Sequence, residues 1–110
     1  MKMIEISKTK NRRAVIISFC THSDKFRSAS ERNTFFRGLY GWEQVVTKND
    51  KRYRYRREGI LTEIPHIKVD DSVFIVALEH FKKVLKYFEE WSNKVDWEVR
   101  RIILEDDDFD

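Results

Sequence analysis

The chain has 110 residues, 41% of them hydrophobic and 14% aromatic, enough to build one core but not two, which excludes a two-domain layout and a disordered segment. No run approaches the roughly 20 apolar residues of a membrane span, and the single cysteine, Cys20, excludes an internal disulfide, so a soluble protein of the reducing cytoplasm is expected. The net charge of +3 hides an uneven distribution: residues 105–110 hold five acids and no base, which leaves residues 1–104 at +8.

Residues 1–12 alternate weakly, as a short edge strand or a loose arm would. Ala14-Val15-Ile16-Ile17-Ser18-Phe19 is a short apolar run rich in β-branched residues and reads as a central buried strand. Ser28-Ala29-Ser30-Glu31 fits a capping box that opens a helix, with Ser28 as the cap and Glu31 reaching back. The pairs Phe35/Leu39 and Phe36/Tyr40 set apolar side chains along one side, and Gly41 suits the left-handed stop. Gly38 lowers helix propensity in the last turn, a cost consistent with close packing there. Residues 42–47 read as a strand, followed by turn chemistry through Asn49 and Asp50.

Residues 51–57 alternate strictly, which puts Tyr53 and Tyr55 on one strand face and Arg52, Arg54 and Arg56 on the other. Gly59 and Pro65 bracket an irregular connection. Short strands are expected at 66–69 and 72–77, with Asp70-Asp71 as the turn between them. A helix over about 78–92 carries the stripe Leu78, Phe81, Val84, Leu85, Phe88 and Trp91. Val95, Trp97 and Val99 then alternate with charged residues in a last strand running on to Leu104.

The order is β-α-β-β-(β)-β-α-β. It predicts an α+β fold of the ferredoxin-like sandwich type: an antiparallel sheet, two helices on one face and a protruding basic hairpin. The expected organisation is a single domain over 1–104 and an acidic, disordered tail over 105–110.

Residues 48–57 hold six bases and one acid, a net +5 in ten residues. Neighbouring arginines on one strand face repel each other, and a phosphate backbone relieves that repulsion while releasing counterions. Arg52, Arg54 and Arg56, flanked by Lys51 and Arg57, are therefore the candidate nucleic-acid-binding residues. Tyr53 and Tyr55 offer stacking surfaces, but their place opposite the arginines favours the core. The alternative is a charged hairpin whose only role is to block edge-to-edge aggregation. Arg12, Arg13, Arg27, Arg32 and Arg37 are further bases whose faces the sequence alone does not fix.

Cys20, His22 and Asp24 would point the same way if the strand continued, as a metal-binding or thiol/imidazole trio would. No second ligand cluster has metal spacing, so the sequence implies no metal, no cofactor and no catalytic residue. His66 and His80 are isolated.

Phe35-Phe36-Arg37-Gly38-Leu39-Tyr40-Gly41-Trp42, Tyr53-Arg54-Tyr55-Arg56-Arg57-Glu58-Gly59-Ile60-Leu61 and Ile64-Pro65-His66-Ile67-Lys68-Val69 resemble stretches of small archaeal proteins of unknown function. Leu39-Tyr40-Gly41 and Ser72-Val73-Phe74 also resemble motifs of the ferredoxin-like CRISPR adaptation proteins. That resemblance implies dimers that hold nucleic acid. Members of that family place an aspartate at the end of the first strand for metal-dependent cleavage, where this chain has Phe19, Cys20 and Thr21.

The expected function is a non-enzymatic nucleic-acid-binding module that engages DNA or RNA through the hairpin. A protein-interaction module, dimerising through a sheet edge with no nucleic-acid role, ranks second. A metal-dependent nuclease at Cys20, His22 and Asp24 ranks third.

Overall fold

The computed structural model describes residues 12–105. The weakly alternating arm before Arg12 and the acidic tail beyond Glu105 lie outside the described residues. In chain order the elements are β1 (Arg12–Thr21), α1 (Ala29–Tyr40), β2 (Trp42–Lys48), β3 (Lys51–Arg57), β4 (His66–Asp70), β5 (Val73–Ala77), α2 (Phe81–Glu90) and β6 (Val95–Leu104). Single 3-10 turns at Ser23–Lys25, Leu61–Glu63 and Leu78–His80 fill the longer connections.

The fold is α+β, with two helices against an antiparallel sheet of order β4-β5-β1-β6. Among the described residues, strands β2 and β3 pair only with each other, in a separate two-stranded sheet. Over all six strands this is not the standard order of a ferredoxin-like sandwich, because two consecutive strands leave the main sheet.

Strand period decides which side of the sheet is covered. Register pairs Phe19 with Trp97 and Ile17 with Phe74, so these four side chains share one face. Both helices pack there. The Phe35 ring of α1 lies 5.7 Å from Phe19 and 5.9 Å from Phe88 of α2, and Phe88 lies 5.6 Å from Trp97. Phe35, Leu39, Val84 and Phe88 are buried among Val15, Ile17, Phe74, Val76 and Val95. Edge-to-face rings supply packing enthalpy beyond the area they bury. Of the expected stripe, Val84 and Phe88 are in the core and Leu78, Phe81 and Trp91 pack against it, whereas Leu85 lies outside the cluster; Tyr87 joins them, its hydroxyl donating to the Phe35 carbonyl at 2.7 Å. Burial lifts the Tyr87 phenol to about 12.

The expected cap of α1 is present in part. Ser28 Oγ accepts the Glu31 N–H at 3.2 Å. Glu31 does not complete the box on Ser28. Its carboxylate accepts from Lys94 Nζ at 2.6 Å, from the Arg27 N–H at 2.9 Å and from Arg27 Nε at 2.7 Å. Those donors, Lys94 foremost, hold the Glu31 carboxyl down at about 2. The contact ties the start of α1 to the approach to β6, 63 residues away.

At its other end α1 stops on Gly41, with φ +79° and its N–H bonded to the Arg37 carbonyl at 2.8 Å. The chain then leaves the main body as the β2–β3 hairpin. It returns at Gly59, where the Ile60 N–H donates to the Gly38 carbonyl at 2.8 Å and Leu61 and Ile64 re-enter the core.

Candidate nucleic-acid interface

The hairpin turns on two residues, Asn49 and Asp50, with φ +53° and +64°. Positive φ at both central positions is the type I′ geometry, whose twist matches that of the flanking strands, and Asn and Asp tolerate it well. Pairing runs without interruption from Lys48 opposite Lys51 to Trp42 opposite Arg57.

This register sorts the side chains onto two faces. Arg52, Arg54 and Arg56 share one face with Thr47, Val45 and Glu43. Lys51, Tyr53, Tyr55 and Arg57 share the other with Lys48, Val46, Gln44 and Trp42. The five candidate bases therefore do not form one row: three lie together, while Lys51 and Arg57 bracket the tyrosines. Every residue of β3 is exposed.

The expectation that Tyr53 and Tyr55 enter the core is overturned. They are 42% and 46% exposed. Among the described residues no helix or sheet layer buries β3, so alternation along it does not separate a buried inside from an exposed outside, although Trp42, Gln44 and Val46 on the tyrosine face are part-buried.

The arginines differ in how far they are engaged. Arg54 Nη1 donates to Glu43 Oε1 at 2.9 Å, but its side chain remains 70% exposed. Arg56 Nη2 donates to the Tyr40 carbonyl at 3.3 Å, beside the end of α1. Arg57 Nε donates to Gln44 Oε1 at 2.7 Å, and its guanidinium lies 5.5 Å from the Tyr55 ring. Among the described residues, the side chains of Lys51 and Arg52 have no hydrogen-bond or ion-pair partner. Unlike surface ion pairs, which neutralise locally, this ribbon keeps most of its positive charge available.

Of the other bases, Arg37 adjoins the hairpin: its guanidinium stacks 4.1 Å from the Trp42 ring at the foot of β2. Arg27 is paired to Glu31, and Arg12 to Glu79. Arg32 lies 4.8 Å from the Phe36 ring, and its Nε is enclosed without a hydrogen-bond partner among the described residues. It lines a cleft of about 500 Å³ with Asn33, Tyr40, Lys68 and Ser72. Asp71 is also in the cleft, 3.2 Å from Lys68 Nζ. Burial, and then the nearby Asp71 and Asp70 charges, raise the Tyr40 phenol to about 12.

The trio Cys20, His22 and Asp24 does not assemble as the strand pattern suggested. β1 ends at Thr21, and Asp24 belongs to the 3-10 turn that follows. His22 Nε2 instead meets Asp96 Oδ2 at 2.5 Å, because the register sets Asp96 of β6 opposite Cys20. Sequence reasoning missed Asp96, since nothing local marks it out and only the β1–β6 pairing brings it there. Among the described residues, no three His, Cys, Asp or Glu side chains are grouped to hold a metal ion. Nor is any described helix long and apolar enough to cross a membrane.

The chain matches no family model, no curated protein and no solved structure.

Proposed function

We propose that this protein is a non-enzymatic nucleic-acid-binding module that grips the phosphate backbone with the β2–β3 hairpin. The observation that carries the reading is that five of the seven residues of β3 are basic, and all seven are exposed on a ribbon outside the main sheet. Three arginines at alternate positions lie roughly 6.6 Å apart along the strand. At that spacing neighbouring charges in water repel by about 0.6 kcal/mol, which a bound polyanion removes. Among the described residues β3 is itself an edge of the two-stranded sheet, so guarding that edge is the competing account of the same charge.

The test is the Arg52→Ala/Arg54→Ala/Arg56→Ala variant, titrated against labelled DNA and RNA at several salt concentrations. The parent is expected to bind with steep salt dependence. Loss of three phosphate contacts lowers the slope of log K against log salt by about 2–3. A triple variant that binds as the parent does would remove the hairpin from the interface.

The finer architecture belongs to the same proposal. With β2 and β3 set aside as an insertion, the remaining strands lie in the order fourth, first, third, second, and all neighbours are antiparallel. That supports a ferredoxin-like sandwich with the hairpin inserted between α1 and the second strand of the sheet.

A second reading, self-association through a sheet edge, is favoured by β6. This strand pairs with β1 over ten residues without a bulge, and no described strand covers its outer side. Ile103 near its end is 66% exposed. A dimer that persists at high salt, from a protein that binds neither DNA nor RNA, would favour this reading over the first.

A further inference from the structure

The second face of the hairpin carries four side chains in a row along β3: Lys51, Tyr53, Tyr55 and Arg57. We infer that this face stacks unpaired bases, so that the ligand is single-stranded nucleic acid; the inference rests on the polyanion reading of the same hairpin. Both phenol rings are nearly half exposed. Among the described residues neither is packed against another aromatic ring, and the one ring partner is the Arg57 guanidinium 5.5 Å from Tyr55. Two large aromatics held on an open ribbon contribute little to the core, which is complete without them.

Spacing supports the assignment. Side chains two apart on a strand stand roughly 6.6 Å from each other. That is about twice the 3.4 Å separation of stacked bases, so one flat base fits between the two rings. Any base can occupy such a gap, because every base has a π-face. A cation stands at each end of the tyrosine pair, Lys51 towards the turn and Arg57 towards the body. Phosphates on either side of an inserted nucleotide would meet these charges. Duplex DNA keeps its base faces inside the stack, so it engages the arginine face but gives the tyrosine face nothing to hold.

The two faces are therefore separable by experiment. Anisotropy titrations compare a labelled oligothymidine with a duplex of equal length, for the parent, Tyr53→Ala/Tyr55→Ala and Tyr53→Phe/Tyr55→Phe. The parent should prefer the single strand. The double alanine variant should lose about tenfold or more of its single-strand affinity, with little change in salt slope or duplex binding, because stacking rather than charge is removed. The phenylalanine variant should bind like the parent, since it keeps both rings. Equal losses on both ligands, an unchanged alanine variant or a parent that prefers duplex would each overturn the inference while leaving the arginine-based proposal intact. A parent that binds neither ligand would overturn the nucleic-acid reading itself. Both tyrosines are exposed, so the variants should fold, and matching circular dichroism spectra check this.

Discussion

Gly59 marks the point where the hairpin rejoins the body, and replacing it by alanine tests how that junction is built. A Cβ at Gly59 would run into the Gly41 nitrogen and stand 2.8 Å from the carbonyl carbon and oxygen of Leu39. Carbon atoms in good contact sit about 3.5–4.0 Å apart, so a shift approaching 1 Å is needed. The obstructing atoms are backbone at the end of α1, fixed by the Gly41-to-Arg37 and Ile60-to-Gly38 hydrogen bonds, each 2.8 Å. Overpacking against atoms that cannot swing away costs about 2–3 kcal/mol. The reduced freedom of the unfolded chain returns about 0.4–1 kcal/mol, leaving Gly59→Ala near 2 kcal/mol less stable.

Gly38→Ala is the matched control. Its Cβ would overlap the Tyr87 hydroxyl and stand 3.0 Å from the ring's Cζ, so this part-buried side chain must tilt outward and release the Phe35 carbonyl. Alanine gains about 1 kcal/mol of helix propensity, close to the cost of losing the Tyr87 hydrogen bond. Thermal and urea unfolding at neutral pH should place Gly59→Ala about 8 °C or more below the parent and Gly38→Ala close to it. If Gly38→Ala proved the more damaging substitution, or Gly59→Ala melted with the parent, the rigid-junction argument would be wrong.

Two further outcomes follow from single side chains. Because the folded pKa of Glu31 is about 2, below its ordinary 4.5, its stabilising contribution is complete above that ordinary value and drains away as pH falls from 4.5 towards 2. Urea midpoints across this window should fall more steeply for the parent than for Glu31→Gln; parallel curves would contradict the assigned role. Glu43→Gln releases Arg54 from its ion pair. Nucleic-acid affinity should rise and the salt slope should steepen by about 0.7–0.9. Stability should barely move, since exposed pairs contribute under about 1 kcal/mol. Unchanged or weaker binding by this variant would argue against a phosphate contact at Arg54.

Much of the secondary structure was legible because it rests on local rules. The β-branched run before Phe19, the Ser28 cap, the Gly41 stop, the apolar stripe of α2 and the alternation of β6 each declare themselves within one or two turns or a single strand. The basic hairpin was legible for the same reason, since its turn and alternation are short-range. All the bases of β3 are exposed, but their division between two faces is only partly legible in the sequence. Lys51 and Arg57 were grouped with the three arginines, although the period of two sets them beside the tyrosines.

The remaining features depend on contacts between distant segments. Glu31 looked like half of a capping box until Lys94 arrived from the far side of the sequence. Asp96 had no local mark, and the antiparallel register alone brings it to His22. Gly38 was suspected of close packing, but its neighbour, Tyr87, comes from the other helix.

The sequence by itself determined that residues 48–57 form a basic, alternating hairpin, because charge, turn propensity and strand period are properties of adjacent residues. A protruding hairpin is already expected from that pattern, but only the tertiary structure decided that, among the described residues, both of its strands leave the main sheet and pair with each other alone. Which faces of a strand are covered depends on what packs against it, and no local pattern encodes that. The same alternation that would have buried Tyr53 and Tyr55 under a helix instead leaves every residue of β3 exposed, with arginines on one face and tyrosines on the other.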